Sequence, residues 1–192
     1  MRPRCRGKAT LIRFADDFVV LFQSEMDAKR FAKALPKRLA KFNLTLAEEK
    51  TNLLPFGWQH WRCGQSHPHH FDFLGFRHHL GGDRKGRMSV VRIPSTKSVR
   101  KFLMETKEWL HQHMHDRPQD QQAALARKLQ GFYQYFSVPL AMRKLRVVQA
   151  EVLKMWKHTL GRRSQSAERS WAQWDRYPWF ILPKPKLVHG TV

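Results

Sequence analysis

The chain has 192 residues, enough for one substantial domain or two small ones, and its 42% hydrophobic content is typical of a folded protein. Lysine and arginine number 36 against 15 acidic residues, giving a net charge of +21 that is spread over both halves of the sequence. This charge predicts a polyanionic partner. Nucleic acid fits better than a membrane surface, because no segment approaches the roughly 20 apolar residues of a transmembrane helix.

Residues 11–22 predict the first element, a β-hairpin. Two short runs of β-branched and aromatic residues flank Ala15, Asp16 and Asp17, which we expect at or near the tip. Two interpretations of the paired carboxylates remain open. Adjacent carboxylates on a rigid hairpin can hold a hard divalent cation, whereas aspartate is also common in turns that bind no metal.

A helix is predicted next, with Ser24 as its N-cap and Asp27 completing a capping box. Apolar residues then recur on one helical face. Pro36 lies inside this period and predicts a kink or a break. Asn43 suits a left-handed helix end. Two short strands are expected to follow, over residues 44–46 and 50–56.

Residues 57–70 are predicted to form a loop. Within it, Cys63, His67, His69 and His70 resemble metal-ligand spacing, but a paired Cys-x-x-Cys is missing, and a variable polar loop is the favoured alternative. Cys5 is the second cysteine, so no disulfide framework is expected. Together with an N-terminus that lacks a secretory signal, this favours a cytoplasmic location.

Further strands are predicted over the middle of the chain. One covers residues 71–76, where Gly75 marks a bulge or a close backbone approach. Residues 79–87 predict a hairpin loop, and the alternation from Met88 to Ile93 predicts the strand that closes it. Pro94 marks a boundary, after which the pattern becomes helical.

Three amphipathic helices are predicted from this boundary onward, starting at Ser95 or Thr96, at Pro118 and at Pro139. Short connections between them predict a small bundle. The aromatic stripe of the second helix can be either core or a base-stacking platform, and core is favoured. A short helical piece over residues 167–176 and an extended proline-rich end docked on Trp171, Trp174 or Trp179 are predicted to complete the chain.

Residues 14–20, Phe-Ala-Asp-Asp-Phe-Val-Val, resemble the aromatic-x-Asp-Asp signature of reverse transcriptases. The similarity is to the Tyr-Ala-Asp-Asp form of bacterial group II intron-encoded enzymes, with Phe14 where that family usually has tyrosine. Further similar segments follow in order: Leu-Thr-Leu-Ala-Glu-Glu-Lys-Thr (44–51), Phe-Asp-Phe-Leu-Gly-Phe (71–76), the Gly-x-x-x-Tyr stretch within 129–136, Trp156, and maturase-like residues 160–165 and 183–189. The resemblance therefore extends over nearly the whole chain.

The resemblance implies an α+β fold in three parts. Residues 1–93 would be a partial reverse-transcriptase palm, with the Asp-Asp hairpin and a primer-grip hairpin. Residues 94–160 would be an α-helical thumb of three helices, and residues 161–192 a maturase-like C-terminal segment. The implied activity is RNA-directed DNA polymerisation by two-metal nucleotidyl transfer.

The resemblance also implies roles for individual residues. Asp16 would be a ligand of Mg²⁺, with Mn²⁺ as a substitute, and Asp17 would be a nearby second carboxylate. Lys50 would lie near the triphosphate, although a solvent-exposed surface lysine is an equally good interpretation. Phe73, Leu74 and Gly75 would grip the primer. Basic residues expected to follow nucleic-acid phosphates are Arg84, Lys85, Arg87, Lys97, Arg100, Lys101, Arg143, Lys144, Arg162 and Arg163.

In the family, the fingers and a further metal-binding aspartate precede the Asp-Asp motif, whereas only 13 residues precede Phe14 here. The chain is therefore expected to be the C-terminal half of a reverse transcriptase, which does not polymerise alone. We expect it to bind Mg²⁺ only when the further aspartate is supplied. RNA, an RNA–DNA duplex and the N-terminal half of the polymerase are its expected partners. Two alternatives stay open: a non-catalytic, maturase-like RNA-binding module, and a decayed remnant with an exposed sheet edge.

Overall fold

The computed structural model describes residues 5–57, 70–82, 86–163, 170–174 and 176–189. The described strands are β1 (Ala9–Phe14), β2 (Asp17–Phe22), β3 (His70–Phe73), β4 (Phe76–Gly82) and β5 (Met88–Pro94). The described α-helices are α1 (Glu25–Ala40), α2 (Thr96–Gln112), α3 (Pro118–Phe136), α4 (Met142–Gly161) and α5 (Trp171–Trp174). Two small sheets, β1-β2 and β3-β4-β5, together with these helices confirm the predicted α+β class.

The chain divides into two compact units. The hairpin unit comprises Met1–Phe73 and Leu80–Ser89, and the helical unit comprises Leu74–His79 and Val90–Val192. None of the helices in the described part of the chain is long and apolar enough to cross a membrane.

The hairpin unit has very little core of its own. β1 and β2 pair in an antiparallel register over six residue pairs. Helix α1 packs on β2, where the rings of Phe22 and Phe31 lie 5.3 Å apart. Among the described residues of this unit, only Asp27 and Ala28 are buried. The apolar alternation that forms the hairpin therefore leaves most of its apolar side chains exposed to solvent.

The start of α1 differs from the predicted capping box. Ser24 occupies the N-cap position, but its side chain makes no capping hydrogen bond. Asp27 is instead buried, and its Oδ2 accepts hydrogen bonds from the backbone N–H of Arg6 at 2.8 Å and of Gly7 at 3.1 Å. The capping-box prediction was wrong, because Asp27 joins the N-terminal segment to α1 instead.

Helix α1 does not break at Pro36 but continues to Ala40. A proline removes one backbone donor, and the other turns of the helix keep their hydrogen bonds. Asn43 adopts the predicted left-handed conformation, with φ of 56°.

The strands predicted over residues 44–46 and 50–56 were wrong. A short 3₁₀-helix, Glu48–Lys50, reaches into the start of the second range, and both ranges lack strand structure. The backbone N–H of Leu44 donates to the carbonyl oxygen of Leu39 at 3.1 Å, so the chain turns back on the end of α1. Three alternating residues do not make a strand unless a neighbouring strand offers hydrogen bonds.

The helical unit contains the main hydrophobic core. Ser95 caps α2 as predicted, since its side chain accepts a hydrogen bond from the backbone N–H of Ser98 at 3.1 Å. Pro118 begins α3, also as predicted, whereas Pro139 begins a short 3₁₀-helix and α4 starts only at Met142. Most of the core comes from α3 and α4, with buried residues Leu125, Leu129, Phe132, Tyr133, Phe136, Leu145, Val148, Val152, Trp156 and Leu160. The prediction that the aromatic stripe of α3 is core is confirmed.

The C-terminal segment packs on this core. Phe180 and Leu182 are buried, and the ring of Phe180 stacks on Trp156 with centroids 4.9 Å apart. Trp174, in α5, lies 4.9 Å from the same ring. Of the predicted tryptophan partners, Trp174 is confirmed, whereas the contact with buried Trp156 was not predicted.

Candidate metal and nucleic-acid site

The two aspartates lie at the tip of the first hairpin, as the alternation predicts. Asp16 is in the turn, and Asp17 is the first residue of β2, paired with Phe14. Ala15 adopts a left-handed conformation with φ of 52°, and the Nε of Arg13 donates a hydrogen bond of 2.6 Å to its carbonyl oxygen. This contact closes the turn over the end of β1.

Both carboxylates are exposed, and neither has a hydrogen-bond or ion-pair partner among the residues that the structure describes. The strand register places Asp17 on the same face of the hairpin as Ile12 and Leu21, which are 47% and 45% exposed. The acidic tip therefore continues an open apolar face.

The available oxygen ligands fit only a weak, water-rich cation site. Mg²⁺ prefers six oxygen ligands and, with one or two carboxylates, keeps most of its water. Asp16 and Asp17 supply the carboxylates. In the described part of the chain, no three or more histidine, cysteine or acidic residues lie together in a group that could hold a metal ion. Further ligands are needed for tight binding.

Two other predicted metal or catalytic positions can be placed only in part. Lys50 is exposed at the end of the 3₁₀-helix, where its backbone N–H donates to Ala47 at 3.0 Å. Cys63, His67 and His69 lie outside the described residues, and His70 is the first residue of β3. The interpretation of these residues as ligands stays a prediction.

The predicted primer-grip residues form a tight turn. Instead of one strand with a bulge over residues 71–76, β3 ends at Phe73 and β4 begins at Phe76. Leu74 and Gly75 between them have φ of 50° and 76°, the pair of positive values typical of a two-residue hairpin turn. The bulge prediction was wrong, but the close backbone approach at Gly75 is present, since an added Cβ would lie 3.1 Å from Ser98 Oγ.

The predicted phosphate-binding residues are distributed along the helical unit. Lys97, Arg100 and Lys101 share one side of the first turns of α2, and all three are exposed. Arg143 and Lys144 begin α4, and Arg162 follows its C-terminal end, about 28 Å further along at 1.5 Å per residue. Arg87 is exposed before β5, whereas Arg84 and Lys85 lie outside the described residues.

Arg163 makes structural contacts. Its Nε donates to the carbonyl oxygen of Met114 at 2.6 Å, and its Nη2 donates to that of Asp116. These hydrogen bonds tie the end of α4 to the connection between α2 and α3. A role in phosphate binding stays a prediction for this residue.

A shallow cleft of about 290 Å³ between α2 and α3 went unnoticed in the sequence. Phe102 and Phe132 line it, and Arg127 and Lys128 supply positive charge. The space beside Gly131 is open, because no atom lies within 4 Å of a Cβ built there. In the sequence, the adjacent basic residues Arg127 and Lys128 were the signal that could have revealed this cleft.

Comparison with known families identifies the segment that carries the aspartates. Residues 1–78 match the family model described as reverse transcriptase (RNA-dependent DNA polymerase). This part of the chain is a reverse transcriptase-related segment. The match includes the Asp16–Asp17 tip, Lys50 and the Leu74–Gly75 turn, and it ends before the helices of the helical unit. No curated protein matches the chain.

Proposed function

We propose that this chain is part of a group II intron-type reverse transcriptase, in which residues 1–93 provide part of the palm and residues 94–160 act as the thumb. The observation that carries this proposal is the pair of exposed carboxylates at a hairpin tip, which have no hydrogen-bond or ion-pair partner among the described residues and lie inside a segment that matches reverse transcriptases. The segment over residues 161–192 is proposed to be maturase-like, and the substrate is RNA or an RNA–DNA duplex.

In this proposal, Asp16 and Asp17 hold Mg²⁺, or Mn²⁺ in its place. The ions of such a site activate the attacking 3′-hydroxyl and stabilise the leaving group. The chain contributes two exposed carboxylates at a hairpin tip, and neither forms an ion pair with a described residue. Phe73, Leu74 and Gly75 contact the primer strand, and Lys50 lies near the triphosphate.

The proposed chemistry requires a further carboxylate from another palm segment. The exposed apolar face of the hairpin supports such a neighbour, because Phe14 is 63% exposed and Ile12 is 47% exposed. Sheet faces of this kind are normally covered in a folded protein. A palm segment in a longer polypeptide or in a separate chain would bury this face and bring its aspartate to the tip.

Nucleic-acid binding is proposed to depend on the basic side chains of the helical unit. Exposed lysines and arginines at the start of α2 and at both ends of α4 suit a phosphate backbone, and they give affinity without base identity. The net charge of +21 supports strongly salt-dependent binding.

A second candidate is an RNA-clamping module that performs no catalysis. The observation that favours it is the unequal packing of the two units: the helical unit has an extensive buried core, whereas only Asp27 and Ala28 are buried among the described residues of the hairpin unit. A stable, basic helical unit could bind structured RNA without a complete palm.

Primer extension distinguishes these proposals. The purified chain is incubated with Mg²⁺ or Mn²⁺, nucleotides and an RNA template annealed to a DNA primer. Asp16→Asn and Asp17→Asn are tested in parallel, with Glu108→Gln as a control for removal of an exposed acid. Anisotropy titrations with the same hybrid and with structured RNA are made at two salt concentrations.

We expect hybrid binding that weakens as salt rises, no extension by the chain alone, and extension when a separately expressed palm segment with the further aspartate is added. Extension lost in the Asp16 and Asp17 variants but kept in the Glu108 variant supports the polymerase. Salt-dependent binding without extension under any condition favours the RNA-clamping module. If neither hybrid nor RNA binds, both proposals are wrong.

A further inference from the structure

The Leu74–Gly75 turn is fixed to the helical unit by hydrogen bonds from two different helices. The Tyr135 hydroxyl, near the end of α3, donates to the carbonyl oxygen of Leu74 at 2.9 Å. The carbonyl oxygen of Gly75 accepts from the Ser95 backbone N–H at 2.8 Å and from the Ser98 hydroxyl at 3.0 Å. Both carbonyls of the turn are therefore directed toward groups of the bundle.

Packing against the turn is also close. A Cβ at Gly75 would lie 3.1 Å from Ser98 Oγ and 3.4 Å from Phe136 Cζ, so only glycine fits there without movement. The ring of Phe76, directly after the turn, lies 5.4 Å from Tyr135 and 4.9 Å from Phe136. The turn is restrained at both carbonyls and at the residue that follows.

These restraints exceed what a hairpin turn needs. A two-residue turn is closed by its own strands, and glycine provides one of the two positive φ values without strain. Leu74 occupies the other, which disfavours residues with a Cβ. Tyr135 is 52% exposed, so its ring contributes less to the core than its buried neighbours Tyr133 and Phe136. Its hydroxyl nevertheless bonds to a residue 61 positions away.

We infer that Ser98 and Tyr135 are positioning residues that hold the Leu74–Gly75 turn in place for contact with the primer strand. The inference rests on the proposed function, which assigns the turn to the primer. A protein that holds a strand only by electrostatic contacts to its phosphates can slide along it. A turn bonded to the helices provides a contact with a fixed position, because moving it requires breaking the three hydrogen bonds from Tyr135, Ser95 and Ser98.

The test compares two substitutions that remove the same atom from neighbouring tyrosines of α3. Tyr135→Phe removes the hydroxyl that binds Leu74. Tyr133→Phe removes a buried hydroxyl that has no hydrogen-bond partner among the described residues. Ser98→Ala removes one of the two hydrogen bonds to the Gly75 carbonyl oxygen, and Ser98→Thr retains the hydroxyl. Each variant is measured by thermal unfolding, by anisotropy with an RNA–DNA hybrid carrying a recessed primer end and with single-stranded RNA, and by hydroxyl-radical footprinting of the primer strand.

Wild type is expected to protect a defined window of the primer at a fixed distance from its 3′ end. Tyr135→Phe should weaken hybrid binding about three- to tenfold, as expected for one lost hydrogen bond, and should blur or shift the window. Its affinity for single-stranded RNA should be unchanged. Tyr133→Phe and Ser98→Thr should bind the hybrid and protect the primer as wild type does, and Ser98→Ala should weaken binding and blur the window as Tyr135→Phe does.

A wild-type window that Tyr135→Phe and Ser98→Ala leave unchanged would overturn this inference and leave the proposed function standing. Equal losses of affinity for the hybrid and for single-stranded RNA, accompanied by a lower unfolding temperature, would also overturn the inference, because they indicate a structural role alone. If wild type binds no hybrid or protects no window, the proposed primer contact fails and the inference fails with it.

Discussion

The indole Nε1 of Trp156 donates a hydrogen bond of 2.9 Å to the Oε1 of Gln121, and both side chains are completely buried. The Gln121 amide nitrogen donates in turn to the carbonyl oxygen of His113 at 2.5 Å. One glutamine therefore connects the start of α3, the middle of α4 and the end of α2. Buried polar groups of this kind fix the arrangement of helices, because every alternative arrangement leaves them without partners.

Replacing Gln121 should destabilise the helical unit. Gln121→Leu preserves most of the volume but leaves the buried Trp156 N–H without its partner and removes one of the two hydrogen bonds to the His113 carbonyl oxygen, which also accepts from the Asp116 N–H, so the free energy of unfolding should fall by about 2 kcal/mol. This decrease is measured by urea denaturation monitored by tryptophan fluorescence. Gln130, an exposed glutamine of the same helix, provides the control, and Gln130→Leu should stay within about 0.5 kcal/mol of wild type. Equal midpoints for wild type and Gln121→Leu would contradict the assigned network.

Removing the Tyr133 hydroxyl should stabilise the protein. The hydroxyl is buried without a hydrogen-bond partner among the described residues, so Tyr133→Phe should raise the free energy of unfolding at pH 7 by up to about 1 kcal/mol. A decrease instead would indicate that the hydroxyl makes a favourable interaction.

The same residue should make stability depend on alkaline pH. Burial raises the pKa of the Tyr133 phenol above its ordinary value of about 10. Below pH 10 the phenol is protonated in both the folded and the unfolded state, so it does not make the free energy of unfolding depend on pH. Above it the unfolded state ionises first, so stability falls as pH rises. The advantage of Tyr133→Phe over wild type should therefore widen above pH 10, as paired denaturation curves from pH 8 to 11 would measure. A constant difference over that range would contradict the raised pKa.

Asp16 and Asp17 should contribute to cation binding and not to stability. Both are exposed and unpartnered among the described residues, so Asp16→Asn and Asp17→Asn should unfold within about 0.5 kcal/mol of wild type. Each should weaken Mn²⁺ binding, measured as loss of the free-ion signal in electron paramagnetic resonance titrations. Glu108→Gln should bind Mn²⁺ as wild type does. Identical binding by all four proteins would place the cation elsewhere.

Asp27 should protect the N-terminal segment from opening. Its carboxylate accepts the backbone N–H groups of Arg6 and Gly7, so Asp27→Ala should increase amide hydrogen exchange at both residues by about tenfold or more. Glu49→Gln, a change at an exposed acid of the same unit, should leave both rates unchanged. Exchange that is as slow in Asp27→Ala as in wild type would show that other contacts hold this segment.

Short-range patterns in the sequence were sufficient for several elements. The alternation around Asp16 and Asp17 predicts the hairpin and its tip, since a tight turn and its flanking strands are local. The helical period, with Ser95 as a cap and Pro118 at a first turn, predicts α2 and α3. It also identifies the buried stripe of α3, because an apolar face of a helix must find a core.

Contacts between distant residues decided the rest. The strand predicted over residues 71–76 becomes a turn at Leu74 and Gly75, whose carbonyls bond to Tyr135, Ser95 and Ser98 far along the chain. Asp27 accepts hydrogen bonds from Arg6 and Gly7 instead of capping its own helix. The sequence by itself determined the first hairpin and the helices α2 and α3, because their turn, cap and first-turn signals act on nearby residues. Only the tertiary structure decided which buried polar groups meet, because those pairings depend on the packing of segments that the local pattern does not relate.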